Sequence, residues 1–180
     1  NDRSTKLLFG DAAAVTHLRK SDDNKGLVDI LCSTSGINSN KFIIPAGGMR
    51  KPKSNVTSVE SKDKSGNVRN QEQIHMDGLG IFSFVNGKVP KQVIKILKRN
   101  KYEIEDIDLF IFHQASKMIV DSITRKLKLP ESKFNRIYEN RGNSGGSTVG
   151  ISLHHAIKDA QIKANSKIVL SAFGVGLSWC

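Results

Sequence analysis

From Pro90 to the end of the chain, amphipathic helical patterns alternate with short apolar runs. Residues 107–112 and 167–173 are almost continuously apolar, which is typical of strands that are buried on both faces. Residues 115–127 instead repeat apolar side chains at helical spacing, and Pro130 follows soon after. Strands that alternate with helices predict an α/β fold in which helices are layered against a sheet.

The first half of the chain is less regular. A helix is predicted to begin at Pro90, because proline fits the first turn of a helix. Residues 6–18 and 27–33 read as strands, whereas residues 38–70 are rich in Ser, Asn, Lys and Gly. We therefore divide the chain into terminal strands (1–37), a loop-rich connection (38–70) and a layered domain (71–180). Residues 51–70 are predicted to be a mobile loop, because apolar side chains are scarce there.

The chain begins at Asn1, and its last apolar run is cut off at Cys180. We therefore expect a piece of a longer protein that is truncated at its last strand. No apolar run approaches the roughly 20 residues that span a bilayer, and no signal pattern is present. We expect a cytoplasmic protein that does not contact membranes.

The two cysteines, Cys32 and Cys180, lie far apart in the sequence. Their spacing predicts neither a disulfide framework nor a zinc site, and Cys32 is expected to be a buried structural thiol. No metal or cofactor is expected. The 28 basic residues exceed the 17 acidic ones and give a formal net charge of +11. This charge favours an acidic partner, such as nucleic acid, an anionic membrane, CoA phosphates or an acidic carrier protein.

Three polar or glycine-rich segments lie where predicted strands end or helices begin: residues 112–115, 142–146 and 173–176. Ligand sites of α/β sheets form at such strand ends. His113 and Asn143 can both donate hydrogen bonds to a single carbonyl oxygen and so stabilise an oxyanion or enolate. Backbone N–H groups around Val175 can supply a second oxyanion site. Taken singly, the three segments also fit a structural histidine, a turn asparagine and a tight bend.

In this order, the segments resemble the β-ketoacyl-acyl-carrier-protein synthase III family of the thiolase superfamily. The resemblance covers nearly all of the chain. The matching motifs are Leu8-Phe9-Gly10-Asp11-Ala12, Met76-Asp77-Gly78-Leu79-Gly80-Ile81-Phe82, His113-Gln114-Ala115, Gly142-Asn143-Ser144-Gly145-Gly146-Ser147, and Phe173-Gly174-Val175-Gly176 with Trp179.

The resemblance implies the C-terminal half of a thiolase-like fold, with α-β-α layers around a mixed five-stranded sheet. Residues 1–37 would be the last strands of the N-terminal half. It also implies a decarboxylative Claisen condensation of an acyl-CoA with malonyl-acyl-carrier protein, as in the initiation of fatty-acid, related lipid or polyketide synthesis. The implied partners are acyl-CoA, an acidic acyl-carrier protein and a second copy in a homodimer, with no nucleic acid.

The resemblance also implies a role for each site residue. His113 and Asn143 would hold the malonyl thioester carbonyl and stabilise the enolate. The backbone of Gly174, Val175 and Gly176 would stabilise a tetrahedral oxyanion. Residues that would bind the substrate or the carrier protein are Gln114, Ser116 and Lys117. The family's nucleophilic cysteine belongs to the other half, so the isolated chain is expected to be inactive and poorly soluble or oligomeric.

Ser116, Met118 and Val175 depart from the family pattern, which leaves open acyl transfer to an oxygen or nitrogen acceptor. A basic nucleic-acid-binding domain is a third hypothesis. It is opposed by the 6% aromatic content and by the lack of a recognition motif. The basic side chains of the helix that follows Pro90 form either a solvated face or a docking surface for an acidic carrier protein. They are Lys91, Lys95, Lys98, Arg99 and Lys101.

Overall fold

The computed structural model describes residues 5–20, 25–63 and 66–180. The helices are α1 (Gly78–Arg99), α2 (Lys117–Lys126), α3 (Tyr138–Arg141) and α4 (Ser147–Lys158). The strands are β1 (Ser33–Thr34), β2 (Phe42–Ile43), β3 (Ser61–Lys62), β4 (Val68–Arg69), β5 (His75–Met76), β6 (Leu109–Phe112), β7 (Ile168–Ser171), β8 (Phe173–Gly174) and β9 (Ser178–Trp179). In the described parts of the chain, no helix has the length and apolar character needed to cross a membrane.

The central sheet is mixed, as predicted. β6 and β7 pair in parallel, while β8 and β1 both pair antiparallel with β9. Ala172, the one residue between β7 and β8, exchanges two backbone hydrogen bonds with Cys180 and so joins the two groups of strands. Phe134 adds a single parallel bridge to the outer edge of β6. The fifth position of the predicted five-stranded sheet is therefore occupied by one residue rather than by a strand.

Strand β6 lies at the centre of the layers, and all four of its residues are buried. Phe110 and Phe112 belong to the apolar core that α1 and α2 build on one face. Leu109 and Ile111 pack instead against Ala156 of α4 on the other face. Alternate residues of a strand point to opposite faces, so an unbroken apolar run is what a strand covered by helices on both sides requires.

Helix α1 begins at Gly78, twelve residues before the predicted start. Asp77 caps it, because its carboxylate accepts a hydrogen bond of 2.9 Å from the Gly80 N–H. Pro90 therefore lies inside the helix, where its missing N–H leaves the Asn86 carbonyl without its helical donor. Lys126 of α2 donates to that carbonyl oxygen at 2.9 Å, which explains why the proline does not end the helix.

Residues 51–70 are folded rather than a bare loop, so this prediction was wrong. The β3–β4 hairpin lies within this segment, and the side chains of Thr57, Asn67 and Arg69 are buried. Thr57 donates a hydrogen bond of 2.7 Å to Glu72, and Arg69 forms an ion pair with Asp63. The prediction counted apolar residues, whereas this segment packs through polar side chains that satisfy one another.

The N-terminal segment contains fewer strands than predicted. Residues 11–20 form no regular element and are exposed, and Phe9 makes only a single bridge, to Asn143. Of the predicted strand over residues 27–33, only Ser33 belongs to a strand. A strand requires a neighbour that completes its hydrogen bonds, and among the described residues only β9 provides one here.

The cysteines contradict their prediction. Cys32 and Cys180 are both exposed and are joined in a disulfide, with their Cα atoms 4.2 Å apart. They stand directly opposite each other, one position beyond the Ser33–Trp179 pair of the β1–β9 ladder. The backbone groups of Cys180 bond to Ala172 instead, so the cysteines occupy a non-hydrogen-bonded position, where side chains approach most closely. A separation of 148 residues hides this register from the sequence.

Alkylation tests the Cys32–Cys180 pair. With iodoacetamide under denaturing conditions, we expect no mass increase in the oxidised protein and two added alkyl groups after reduction. The C32S variant is the control, because its remaining Cys180 should accept one alkyl group without reductant. Addition of two groups to the unreduced wild-type protein would show that the pair is not bonded.

Candidate functional site

His113 follows β6 at its carboxyl end. Its N–H donates to the Ser171 carbonyl at 2.8 Å, which extends the β6–β7 ladder by one residue. The residue is only 8% exposed, and its ring meets the Phe173 ring edge to face at 5.2 Å. The backbone and ring contacts together fix the position of the imidazole at the edge of the sheet.

Thr148 is the hydrogen-bond partner of this imidazole. Its Oγ1 lies 2.6 Å from His113 Nδ1, and the residue is completely buried in the first turn of α4. The same oxygen lies 2.9 Å from the Gly145 carbonyl oxygen and accepts the Gln114 N–H at 3.2 Å. No described residue contacts His113 Nε2 through a hydrogen bond, so this nitrogen is available to a ligand.

Asn143 is placed by the glycine-rich loop before α4. Gly142 has φ +62°, a conformation that favours glycine, and Asn143 exchanges backbone hydrogen bonds with Leu8 and Gly10. A Cβ at Gly10 would lie 2.3 Å from the Arg141 carbonyl oxygen, so this close approach requires glycine. The Asn143 Oδ1 accepts the Gly145 N–H at 3.0 Å. Within the described ranges, the Nδ2 amide of Asn143 has no hydrogen-bond acceptor.

One continuous hydrogen-bonded series therefore connects the two predicted catalytic residues. It runs from His113 through Thr148 and Gly145 to Asn143. Both ends are buried, and each keeps one nitrogen without a described partner. Two N–H donors held in this way can bind one carbonyl oxygen and stabilise negative charge on it. Contact of His113 and Asn143 with a substrate stays a prediction.

Burial sets the protonation state of His113. Desolvation lowers the pKa of its imidazole to about 4, and a hydrogen bond to the backbone of Gly145 opposes this shift only in part. The ring is therefore neutral near pH 7 and carries one N–H, on either Nδ1 or Nε2. A neutral imidazole can donate a hydrogen bond to an oxyanion without becoming a competing acid.

The third predicted segment lies close to the first. Gly174 belongs to β8, and Val175 and Gly176 form the turn to β9, with the Val175 side chain 63% exposed. Phe173 joins this hairpin to His113 through the ring contact. The hairpin thus lies beside the imidazole, and an oxyanion role for its backbone stays a prediction.

The predicted substrate- or carrier-binding residues have three different environments. Gln114 is completely buried and bonds to the backbone of Phe112, Asn135 and Ile137, so a binding role for its side chain was wrong. Ser116 caps α2 by accepting the Ile119 N–H. Lys117 is exposed, and its ammonium lies 3.3 Å from the Asp121 carboxylate. Of the three residues, Lys117 is the one that a partner can reach freely.

Two residues of this site escaped the sequence prediction, Thr148 and Phe173. Thr148 follows a run of small residues, where a buried hydroxyl cannot be told from a solvated one. Phe173 was placed in a strand, but its contact with His113 depends on the β7–β8 extension. Within the described residues, no three His, Cys, Asp or Glu side chains form a group that could hold a metal ion.

Comparison with known proteins gives the same family throughout. Residues 97–180 match the family described as 3-oxoacyl-[acyl-carrier-protein (ACP)] synthase III C terminal. β-Ketoacyl-[acyl-carrier-protein] synthase III of Campylobacter fetus is 33% identical over 178 residues, which cover 99% of this chain and 51% of that protein. The enzyme of the same name from Natranaerobius thermophilus is 33% identical over 181 residues, covering 99% of this chain and 52% of its own. The chain thus spans about half the length of the curated relatives it matches.

Solved structures agree with this similarity. A crystal structure of a 3-oxoacyl-(acyl-carrier-protein) synthase III superposes with a TM-score of 0.80 at 34% identity, over 83% of this chain and 44% of that one. The enzyme from Pseudomonas aeruginosa gives a TM-score of 0.75 over 99% of this chain and 50% of its own, and its 22% identity supports the fold alone. The chain therefore has a thiolase-like fold and belongs to the β-ketoacyl-acyl-carrier-protein synthase III family, whose C-terminal domain corresponds to residues 97–180.

Proposed function

We propose that the protein containing this chain is an acyltransferase that condenses an acyl-CoA with malonyl-acyl-carrier protein and releases CO2. The observation that carries this proposal is the buried series from His113 to Asn143, which leaves two nitrogens free for one carbonyl oxygen. The names of the relatives support it. The product would begin a fatty acid or a related lipid or polyketide.

In the first half-reaction, the bond between the malonyl α-carbon and its carboxylate breaks. The electron pair stays on the α-carbon and delocalises onto the thioester oxygen, while CO2 leaves. His113 and Asn143 would donate hydrogen bonds to that oxygen and stabilise the enolate, a contribution of a few kcal/mol for each donor. Since the imidazole is neutral, it would keep its proton throughout this step.

In the second half-reaction, the enolate carbon attacks the carbonyl of an acyl thioester held on a cysteine. A carbon–carbon bond forms, and the thiolate leaves as the tetrahedral intermediate collapses. The backbone of Gly174, Val175 and Gly176 would stabilise the oxyanion. Neither cysteine of this chain fits the nucleophile, because Cys32 and Cys180 are bonded to each other and follow no strand-to-helix turn.

The partners follow from charge and from the family. Lys91, Lys95 and Lys98 are exposed on α1 and would attract an acidic carrier protein. Arg99 of the same basic face is engaged by the Asp29 carboxylate and contributes less. We propose that the protein acts as a homodimer in the cytoplasm and requires no metal or cofactor beyond its acyl thioester substrates.

Release of CO2 from a malonyl thioester tests the proposed function. The complete protein is incubated with malonyl-acyl-carrier protein and an acyl-CoA, and CO2 and the β-ketoacyl product are measured together. We expect both in equal amounts. Acyl transfer to an alcohol or amine acceptor without CO2 would instead establish the alternative acyltransferase and overturn the condensation.

A further inference from the structure

The Thr148 hydroxyl has three polar neighbours and a single proton. They are His113 Nδ1 at 2.6 Å, the Gly145 carbonyl oxygen at 2.9 Å and the Gln114 N–H at 3.2 Å. A hydroxyl offers one donor and two acceptor positions. The Gln114 N–H uses one acceptor position. The hydroxyl proton therefore points either to Gly145 or to His113.

These two orientations correspond to two tautomers of the neutral imidazole. If Thr148 donates to the Gly145 carbonyl, then His113 Nδ1 must carry the proton, and Nε2 presents a lone pair. If Thr148 donates to Nδ1, the proton lies on Nε2. A thioester or enolate oxygen has no hydrogen to give, so only the second tautomer can bind it.

The contacts favour the second orientation. The Gly145 carbonyl already accepts the Thr148 backbone N–H at 3.2 Å, so it does not depend on the hydroxyl. The Oγ1 oxygen also lies nearer to Nδ1 than to the carbonyl oxygen. Among the described residues, no other hydroxyl or N–H is bonded to Nδ1 that could occupy its lone pair in this buried place.

We propose that Thr148 is a positioning residue whose hydroxyl donates to His113 Nδ1 and thereby keeps the N–H on Nε2, facing the thioester oxygen. This inference rests on the proposed function. Thr148 touches no substrate itself. It also connects His113 to the loop of Asn143, because Gly145 bonds to both Thr148 and the Asn143 side chain.

Valine at position 148 keeps the shape of threonine but removes the hydroxyl. The acceptor left beside Nδ1 is the Gly145 carbonyl, to which the imidazole already bonds. The proton should therefore move to Nδ1 and leave Nε2 without a donor. A wrong histidine tautomer is severely damaging in other enzymes, so the Thr148→Val variant should lose at least about tenfold in kcat. Thr148→Ser keeps the hydroxyl and should stay within a few-fold of the wild type.

The experiment combines two readouts. Malonyl-acyl-carrier-protein decarboxylation is measured for the wild type, T148V, T148S and H113A, and the imidazole ¹⁵N shifts are recorded with labelled histidine. We expect a protonated Nε2 in the wild type and T148S, and an unprotonated Nε2 in T148V. The loss in T148V should fall on kcat more than on KM, because the missing hydrogen bond is strongest in the transition state.

The outcomes separate the two hypotheses. An inactive H113A together with a fully active T148V, or a wild-type spectrum with an unprotonated Nε2, overturns the role of Thr148 and leaves the proposed function intact. The wild-type spectrum gives this answer even if T148V fails to fold. An H113A variant with the wild-type rate overturns the proposed function itself.

Discussion

Replacing His113 with alanine is expected to lower the rate of malonyl decarboxylation by about 100-fold or more, as does the loss of one oxyanion donor in other enzymes. Asn143→Ala should cause a loss of similar size. Both side chains are buried and aligned before the substrate arrives, so their donors need not reorganise when charge develops. Release of CO2 from malonyl-acyl-carrier protein is the measurement, with kcat and KM determined separately.

The double variant makes this prediction sharper. If the two donors act on the same oxygen, H113A/N143A should be far less impaired than the product of the two single losses, because residues that act as a unit are not additive. His154→Ala is the matched control, since His154 lies exposed on α4 and should leave the rate unchanged. Independent, multiplicative losses would mean that His113 and Asn143 serve different steps.

The fold from β6 onward was predictable because its signals are local. An unbroken apolar run predicted the buried strand β6, and helical spacing predicted α2 and α4. The start of α1 was not predictable from Pro90, because the Lys126 ammonium that compensates for the missing N–H lies in another helix. Local patterns thus predict the elements, while the contacts that override a propensity come from distant residues.

The candidate site shows the same division. His113 and Asn143 were identified because strand ends and glycine-rich loops mark ligand sites, and because the order of motifs matches a family. Thr148 and the Cys32–Cys180 pair were missed. Each depends on tertiary register, which places a hydroxyl against a ring or one thiol against another. Side-chain type alone also misled for Gln114, whose amide satisfies the backbone instead of a ligand.

Acidification is expected to destabilise the fold through His113. Burial lowers the pKa of the folded imidazole from 6.5 to about 4, whereas the unfolded chain keeps the ordinary value. Between these values the unfolded state binds more protons, so the free energy of unfolding falls as the pH falls. The contribution is fully present above pH 6.5 and fully lost below about pH 4. A shift of this size corresponds to about 3 kcal/mol.

Urea unfolding of the wild type and His113→Gln at several pH values between 7 and 4 measures this effect. Glutamine has no proton to bind in this range, so the difference between the two proteins isolates the imidazole. Asp29 does not confuse the comparison: its hydrogen bond with Arg99 lowers the pKa of its carboxyl to about 2, and its contribution is lost only at more acidic pH. Since H113Q removes both the charge penalty and the ring, its stability should be lower at pH 7 but should change less with pH. Parallel curves for the two proteins would show that His113 is solvated, and a solvated imidazole could not serve as a neutral donor at pH 7.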